Sequence, residues 1–69
     1  MRNIKFTDVV AKEKVFDTIL EHTDLSKAKA LEVFDVLVSM KKGSVENNDH
    51  EVIWSTLENG EYFLIIKDV

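Results

Sequence analysis

Residues Asp24 to Lys42 read DLSKAKALEVFDVLVSMKK, a stretch that is apolar on more of its circumference than one small domain can cover. Between Ala30 and Met40 only Glu32, Asp35 and Ser39 are polar. Spacings of three and four residues put these three in one narrow stripe of a helix. The pattern predicts a helix from about Ser26 to Lys42 that is packed on several sides. Asp24 or Ser26 would cap it, Lys41 and Lys42 would suit its negative end, and Gly43 would stand at C′. The breadth of apolar surface predicts a second subunit.

Upstream, Val9, Val15, Phe16, Ile19 and Leu20 recur near helical spacing, which predicts a first helix from about Asp8 to His22, or from after Val10. Thr7 or Asp8 is the expected cap, and Leu25 would plug the corner between the helices. Asn3 to Thr7 alternates polar and apolar residues, with Ile4 and Phe6 on one side, as a short strand or ordered arm would.

Downstream, Ser44 to Asp49 is a polar turn cluster. Val52-Ile53-Trp54 and Tyr62-Phe63-Leu64-Ile65-Ile66 are rich in aromatic and β-branched residues and read as strands. Asn59-Gly60 between them is the signature of a two-residue type I′ turn. That turn would pair Glu58 with Glu61, Leu57 with Tyr62, Thr56 with Phe63, Trp54 with Ile65 and Ile53 with Ile66. The resulting hairpin has two apolar faces, one for the helices and one needing a third strand or a partner. The fold class expected is α+β: one domain over 1–69, a helical hairpin followed by a β-hairpin, with an extra amino-terminal strand allowed.

At 69 residues the chain is near the size where a core alone supplies only a few kcal/mol and a staple is usual. Without cysteine, neither a disulfide nor a thiolate metal site is available, so oligomerisation is the staple that remains. No apolar run approaches the ~18 residues of a membrane span, and Met1-Arg2-Asn3-Ile4-Lys5 is too short and polar for a signal peptide. A soluble, cytoplasmic protein is expected. Its net charge of −4 is uneven: residues 1–42 carry eight basic against seven acidic side chains, and residues 43–69 carry one against six. The acidic part should repel a phosphate backbone and attract a basic partner.

The corner Thr23-Asp24-Leu25-Ser26-Lys27 with Ala30 after it, between Phe16-Asp17-Thr18-Ile19 and Val33-Phe34-Asp35-Val36-Leu37, resembles the two-helix start of the HU/IHF family of nucleoid proteins. Lys41-Lys42-Gly43 and then Gly60-Glu61-Tyr62-Phe63 are similar in outline to the sequel in that family, so the likeness covers roughly Glu13 to Asp68. Family members continue into basic arms tipped by a proline that wedges into the minor groove. This chain has no proline and is acidic where such arms would spring. The resemblance implies an intertwined HU-like dimer body without the DNA-binding equipment, its seam formed by Leu31, Val33, Phe34, Leu37, Val38, Trp54, Phe63 and Ile65.

Glu46, Asp49, Glu51, Glu58 and Glu61, extended along the first helix by Asp17, Glu21 and Asp24, form the candidate partner-binding surface. Carboxylates on a rigid scaffold can imitate phosphates, although most acidic excesses are simply solvated surface. The expected function is that of a non-enzymatic DNA mimic engaging a basic DNA-binding protein such as HU, by docking or by subunit exchange. In size and charge the chain is similar to small acidic host-takeover proteins of lytic phages. Two rivals remain: a nucleic-acid-binding module using Lys12, Lys14, Lys27, Lys29, Lys41 and Lys42, and a regulatory or antitoxin-like dimeric subunit. His22 and His50 are not expected to hold a metal, Trp54 reads as core, and no cofactor, membrane contact or catalytic nucleophile is expected.

Overall fold

The computed structural model describes residues 3–47 and 49–69; Met1, Arg2 and Asn48, which carry part of the leader and turn-cluster readings, lie outside the described residues. Six elements follow one another: β1 (Ile4–Val10), α1 (Lys12–His22), α2 (Lys27–Ser39), β2 (Lys42–Glu46), β3 (His50–Thr56) and β4 (Tyr62–Asp68). The class is α+β, with two helices and a four-stranded antiparallel sheet in the order β1-β4-β3-β2.

The amino-terminal strand is longer than the local alternation suggests. Phe6 to Val10 pair one by one with Ile66 to Tyr62, so Thr7 and Asp8 belong to β1 and cap nothing. The Asp8 carboxylate instead accepts the Val9 N–H at 2.7 Å. Helix α1 therefore starts only at Lys12, after an Ala11 that offers no side-chain cap. At its other end Thr23 Oγ1 donates to Ile19 O at 2.7 Å, and His22 Nδ1 lies 2.9 Å from Thr18 O. A carbonyl only accepts, so that ring nitrogen carries the proton.

Ser26 proves to be the cap of α2, its Oγ accepting the Lys29 N–H at 3.2 Å. The helix ends at Ser39, short of the expected Lys42. Gly43 is not a C′ residue but part of β2, opposite Trp54. The reason is packing: a Cβ on Gly43 would stand 3.2 Å from the Trp54 ring, and the indole N–H reaches Met40 O at 3.2 Å. Holding that ring requires an extended chain with no side chain beneath it.

The turn between β3 and β4 differs from the type I′ expectation, and the difference moves every pair. Only Gly60 has a positive φ (87°) among the described residues, so Asn59 is not left-handed. The Gly60 N–H donates to Leu57 O at 3.0 Å and the Leu57 N–H to Glu61 O at 2.8 Å. This is a three-residue loop, a type I turn followed by a left-handed glycine. Asn59 serves it through its side chain, accepting the Glu61 N–H at 3.0 Å and donating to Glu61 Oε1 at 2.9 Å. Tyr62 consequently pairs with Thr56, Phe63 with Ser55, Leu64 with Trp54, and Ile65 with Ile53, one residue away from the expected register.

A one-residue slip exchanges the faces of a strand. Here it gathers Val52, Trp54, Tyr62, Leu64 and Ile66 beneath the helices, where they join Val15, Ile19, Ala30, Val33 and Leu37 in the core. Each fully buried aliphatic or aromatic side chain of this set contributes about 1.5–3 kcal/mol. Ile53, Phe63 and Ile65 lie on the other face, which no helix covers. The radius of gyration is 10.8 Å, and a compact domain of this length has about 11 Å. One chain closes its core by itself. Among the described residues no helix is long and apolar enough to cross a membrane.

Candidate partner-binding surface

An open concavity lies where the end of α1, the β2–β3 turn and the end of β4 meet. Glu21, His22, Thr23 and Asp24 come from the helical corner, Asp49 from the turn, His50 from the start of β3, and Asp68 from β4. They surround an open hollow of about 680 Å³, to which Lys5 of β1 also contributes. The corner is rigid because Thr23 and Ser26 satisfy local backbone groups, and Leu25 packs against the core.

The turn has its own scaffold. Asn47 Oδ1 accepts the N–H groups of Asp49 and His50 at 3.3 and 3.1 Å, and the Asn47 N–H donates to His50 O at 2.9 Å. The Val69 N–H donates to Asp49 O at 3.0 Å, tying the turn to the end of β4. His50 is only 7% exposed, and its Nε2 lies 3.6 Å from Asp68 Oδ1. Asp68 Oδ2 faces Lys5 Nζ at 3.7 Å. Asp68 thus places its carboxylate between Lys5 of β1 and His50 of β3, and Lys5 is the one lysine among the described lining residues of the hollow.

Of the acidic residues singled out from sequence, the fold brings Glu21, Asp24 and Asp49 to this hollow. Asp17 is exposed one turn earlier on α1. Glu46 and Glu51 face each other across β2 and β3 on the uncovered side of the sheet, and Lys67 Nζ lies 3.8 Å from Glu51 Oε1. Glu58 and Glu61 are not part of this surface. They sit at the opposite end, a full strand or roughly 20 Å away.

The lysines are divided in the same way. Lys12, Lys14, Lys41 and Lys42 lie at the Glu58–Glu61 end, whereas Lys27 and Lys29 lie a helix length away, beside the corner. Lys29 is paired with Glu32 at 3.7 Å. The six do not line one side of the helical pair.

The expected seam residues also separate. Val33, Leu37 and Trp54 are buried by their own chain, with Phe34 packed at the margin of the core. Their burial needs no second subunit. Leu31, 52% exposed, and Val38 lie outside on α2, and Phe63 and Ile65 lie on the open sheet face.

The Lys5–Asp68–His50 group had no visible signal in sequence. It depends on the last strand returning beside the first, and Asp68 stands 18 positions beyond His50. Among the described residues no group of three or more His, Cys, Asp or Glu is placed to hold a metal ion. No protein-family model, curated protein or solved structure matches this chain.

Proposed function

We propose that the protein is a non-enzymatic interaction module whose acidic end engages a basic DNA-binding protein, an HU-type nucleoid protein among them, and keeps it off DNA. The observation that carries this reading is the convergence of Glu21 and Asp24, from the helical corner, with Asp49, from the β2–β3 turn, around one open hollow whose lysine faces Asp68. An arginine or lysine side chain entering it meets carboxylates on a braced backbone, the arrangement in which charge-assisted hydrogen bonds are strongest. Asp17 and the uncovered Glu46 extend the negative field beyond it.

Docking of a closed chain is the variant we favour over subunit exchange. An intertwined HU-like dimer would have to draw Val33, Leu37 and Trp54 out of a core that one chain completes. A homodimer of closed chains presents two acidic hollows, which suits a partner that is itself two-fold symmetric.

The test is competition for DNA. Titrated into an HU–duplex complex, the protein should release the duplex, and Glu21→Gln, Asp24→Asn and Asp49→Asn together should abolish the release while leaving the circular dichroism spectrum intact. Direct duplex binding at physiological salt with no release would instead support a nucleic-acid module based on Lys12, Lys14, Lys41 and Lys42, and would sink the decoy.

A further inference from the structure

The two edges of the sheet are not alike. β1 is blunted: its pairing slips at a bulge between Ile4 and Phe6, and the Asp8 carboxylate occupies the Val9 N–H. β2 has neither protection. The Asn47 N–H donates to His50 O and the Thr56 N–H to Lys41 O, which fixes the phase of the β2–β3 ladder. By the alternation of an antiparallel pair, Gly43 and Val45 bond to β3, and the N–H and C=O groups of Lys42, Ser44 and Glu46 point away from it. All three residues are exposed, and among the described residues Lys42 and Glu46 have no counter-ion.

We propose that two copies of this chain pair through β2, antiparallel and centred on Ser44, so that one continuous sheet runs from β1 of one copy to β1 of the other. The charge pattern of this edge is complementary to itself in that register alone. Lys42 and Glu46 stand two residues either side of Ser44, so the two-fold axis sets each Lys42 opposite a Glu46 of the second copy. Each such pair, and the pair of Ser44 residues on the axis, exchanges both N–H···O bonds.

The arrangement also answers an imbalance within one chain. Glu46 lies directly opposite Glu51, a like-charged cross-strand neighbour. Lys42 of the second copy would stand on the other side of Glu46, giving a row of Lys67, Glu51, Glu46 and then lysine across the sheet. On the helix side, α2 overhangs the same edge. Met40, 49% exposed, has its Cε over Gly43, and Val36, 39% exposed, lines a groove of about 230 Å³ between α2 and β2. In the pair the two α2 helices flank the seam and cover each other's overhang. This pairing does not depend on what the acidic hollow binds.

Ser44→Cys tests the register directly, because the chain has no other thiol and directly opposed hydrogen-bonded residues have Cα atoms about 5.5 Å apart, within disulfide range. Under mild oxidation it should become a covalent dimer, whereas Thr7→Cys, on the β1 edge, should link only at the background rate. By sedimentation equilibrium the unmodified chain should be a dimer. Lys42→Glu or Glu46→Lys alone, each placing like charges across both symmetric pairs, should weaken it by about tenfold or more. The two reversals combined should restore association, since the exchanged charges are again complementary. Circular dichroism checks that each variant folds. A chain that sediments as a monomer up to its solubility limit would overturn the proposal. So would a dimer indifferent to both single reversals with its Ser44→Cys thiols unlinked, which would place the contact on another surface.

Discussion

Trp54 packs directly against Gly43: a Cβ built on the glycine would stand 3.2 Å from the indole Cζ2 and 3.2 Å from the Met40 Cε. The ring cannot retreat, being 2% exposed and tethered to Met40 O. Gly43→Ala should therefore destabilise the protein. Overpacking costs about 1–3 kcal/mol, more than the roughly 0.5–1 kcal/mol that alanine gains over glycine in a strand. Urea unfolding followed by the fluorescence of this single tryptophan should show a lower midpoint with an unchanged slope.

Gly60 is required for a different reason. Nothing lies within 4 Å of where its Cβ would be, but its φ is 87°. Gly60→Ala should cost about 1–2 kcal/mol from backbone conformation alone, and Gly60→Asn less. If Gly60→Ala proved neutral in urea unfolding, the three-residue loop described here would be wrong.

The register itself can be tested by two adjacent residues of β4. Leu64 is fully buried against the helices and Ile65 lies on the uncovered face. Leu64→Ala should cost about 2–5 kcal/mol, a large part of the total stability of a domain of this length. Ile65→Ala should leave a folded protein with a loss nearer 1 kcal/mol. Thermal melts of the two variants decide the matter.

At the helical corner the sequence offers both Asp24 and Ser26 as caps. Since Ser26 Oγ accepts the Lys29 N–H, Ser26→Ala should lose about 1 kcal/mol, while Asp24→Ala should stay within about 0.5 kcal/mol. The measurement is again the urea midpoint.

The residues that could be read correctly from sequence are those whose structure is decided nearby. The two helices, the Ser26–Leu25 corner and the β3 and β4 strands follow from periodicity, capping chemistry and β-branched content. What escaped was decided at a distance. Thr7 and Asp8 look like helix caps, and only pairing with β4, nearly sixty residues later, makes them strand. Lys42 and Gly43 read as the end of a helix and Ser44 to Glu46 as the start of a turn, because the stretch holds glycine, serine and a single apolar residue; it becomes a strand because β3 offers it a ladder. Asn59-Gly60 does mark the turn, but the dipeptide fits both a two-residue and a three-residue loop, and the choice between them decides which face Trp54 shares with Leu64. The placement of the candidate acidic residues was legible in part for the same reason. Glu21 and Asp24 are neighbours in sequence, whereas Asp49 joins them only through the fold, and Glu58 and Glu61 are carried to the far end.

The strand order has a consequence for how the molecule comes into being. β4 follows every other element in the chain, yet it occupies an inner place in the sheet, between β1 and β3. Until it leaves the ribosome, β1 has no neighbour, and Leu64, Ile66 and Tyr62 are missing from beneath the helices. Closure of the core therefore waits for Tyr62–Asp68, and a sheet joined by such distant pairings is expected to form more slowly than a helical bundle of equal length.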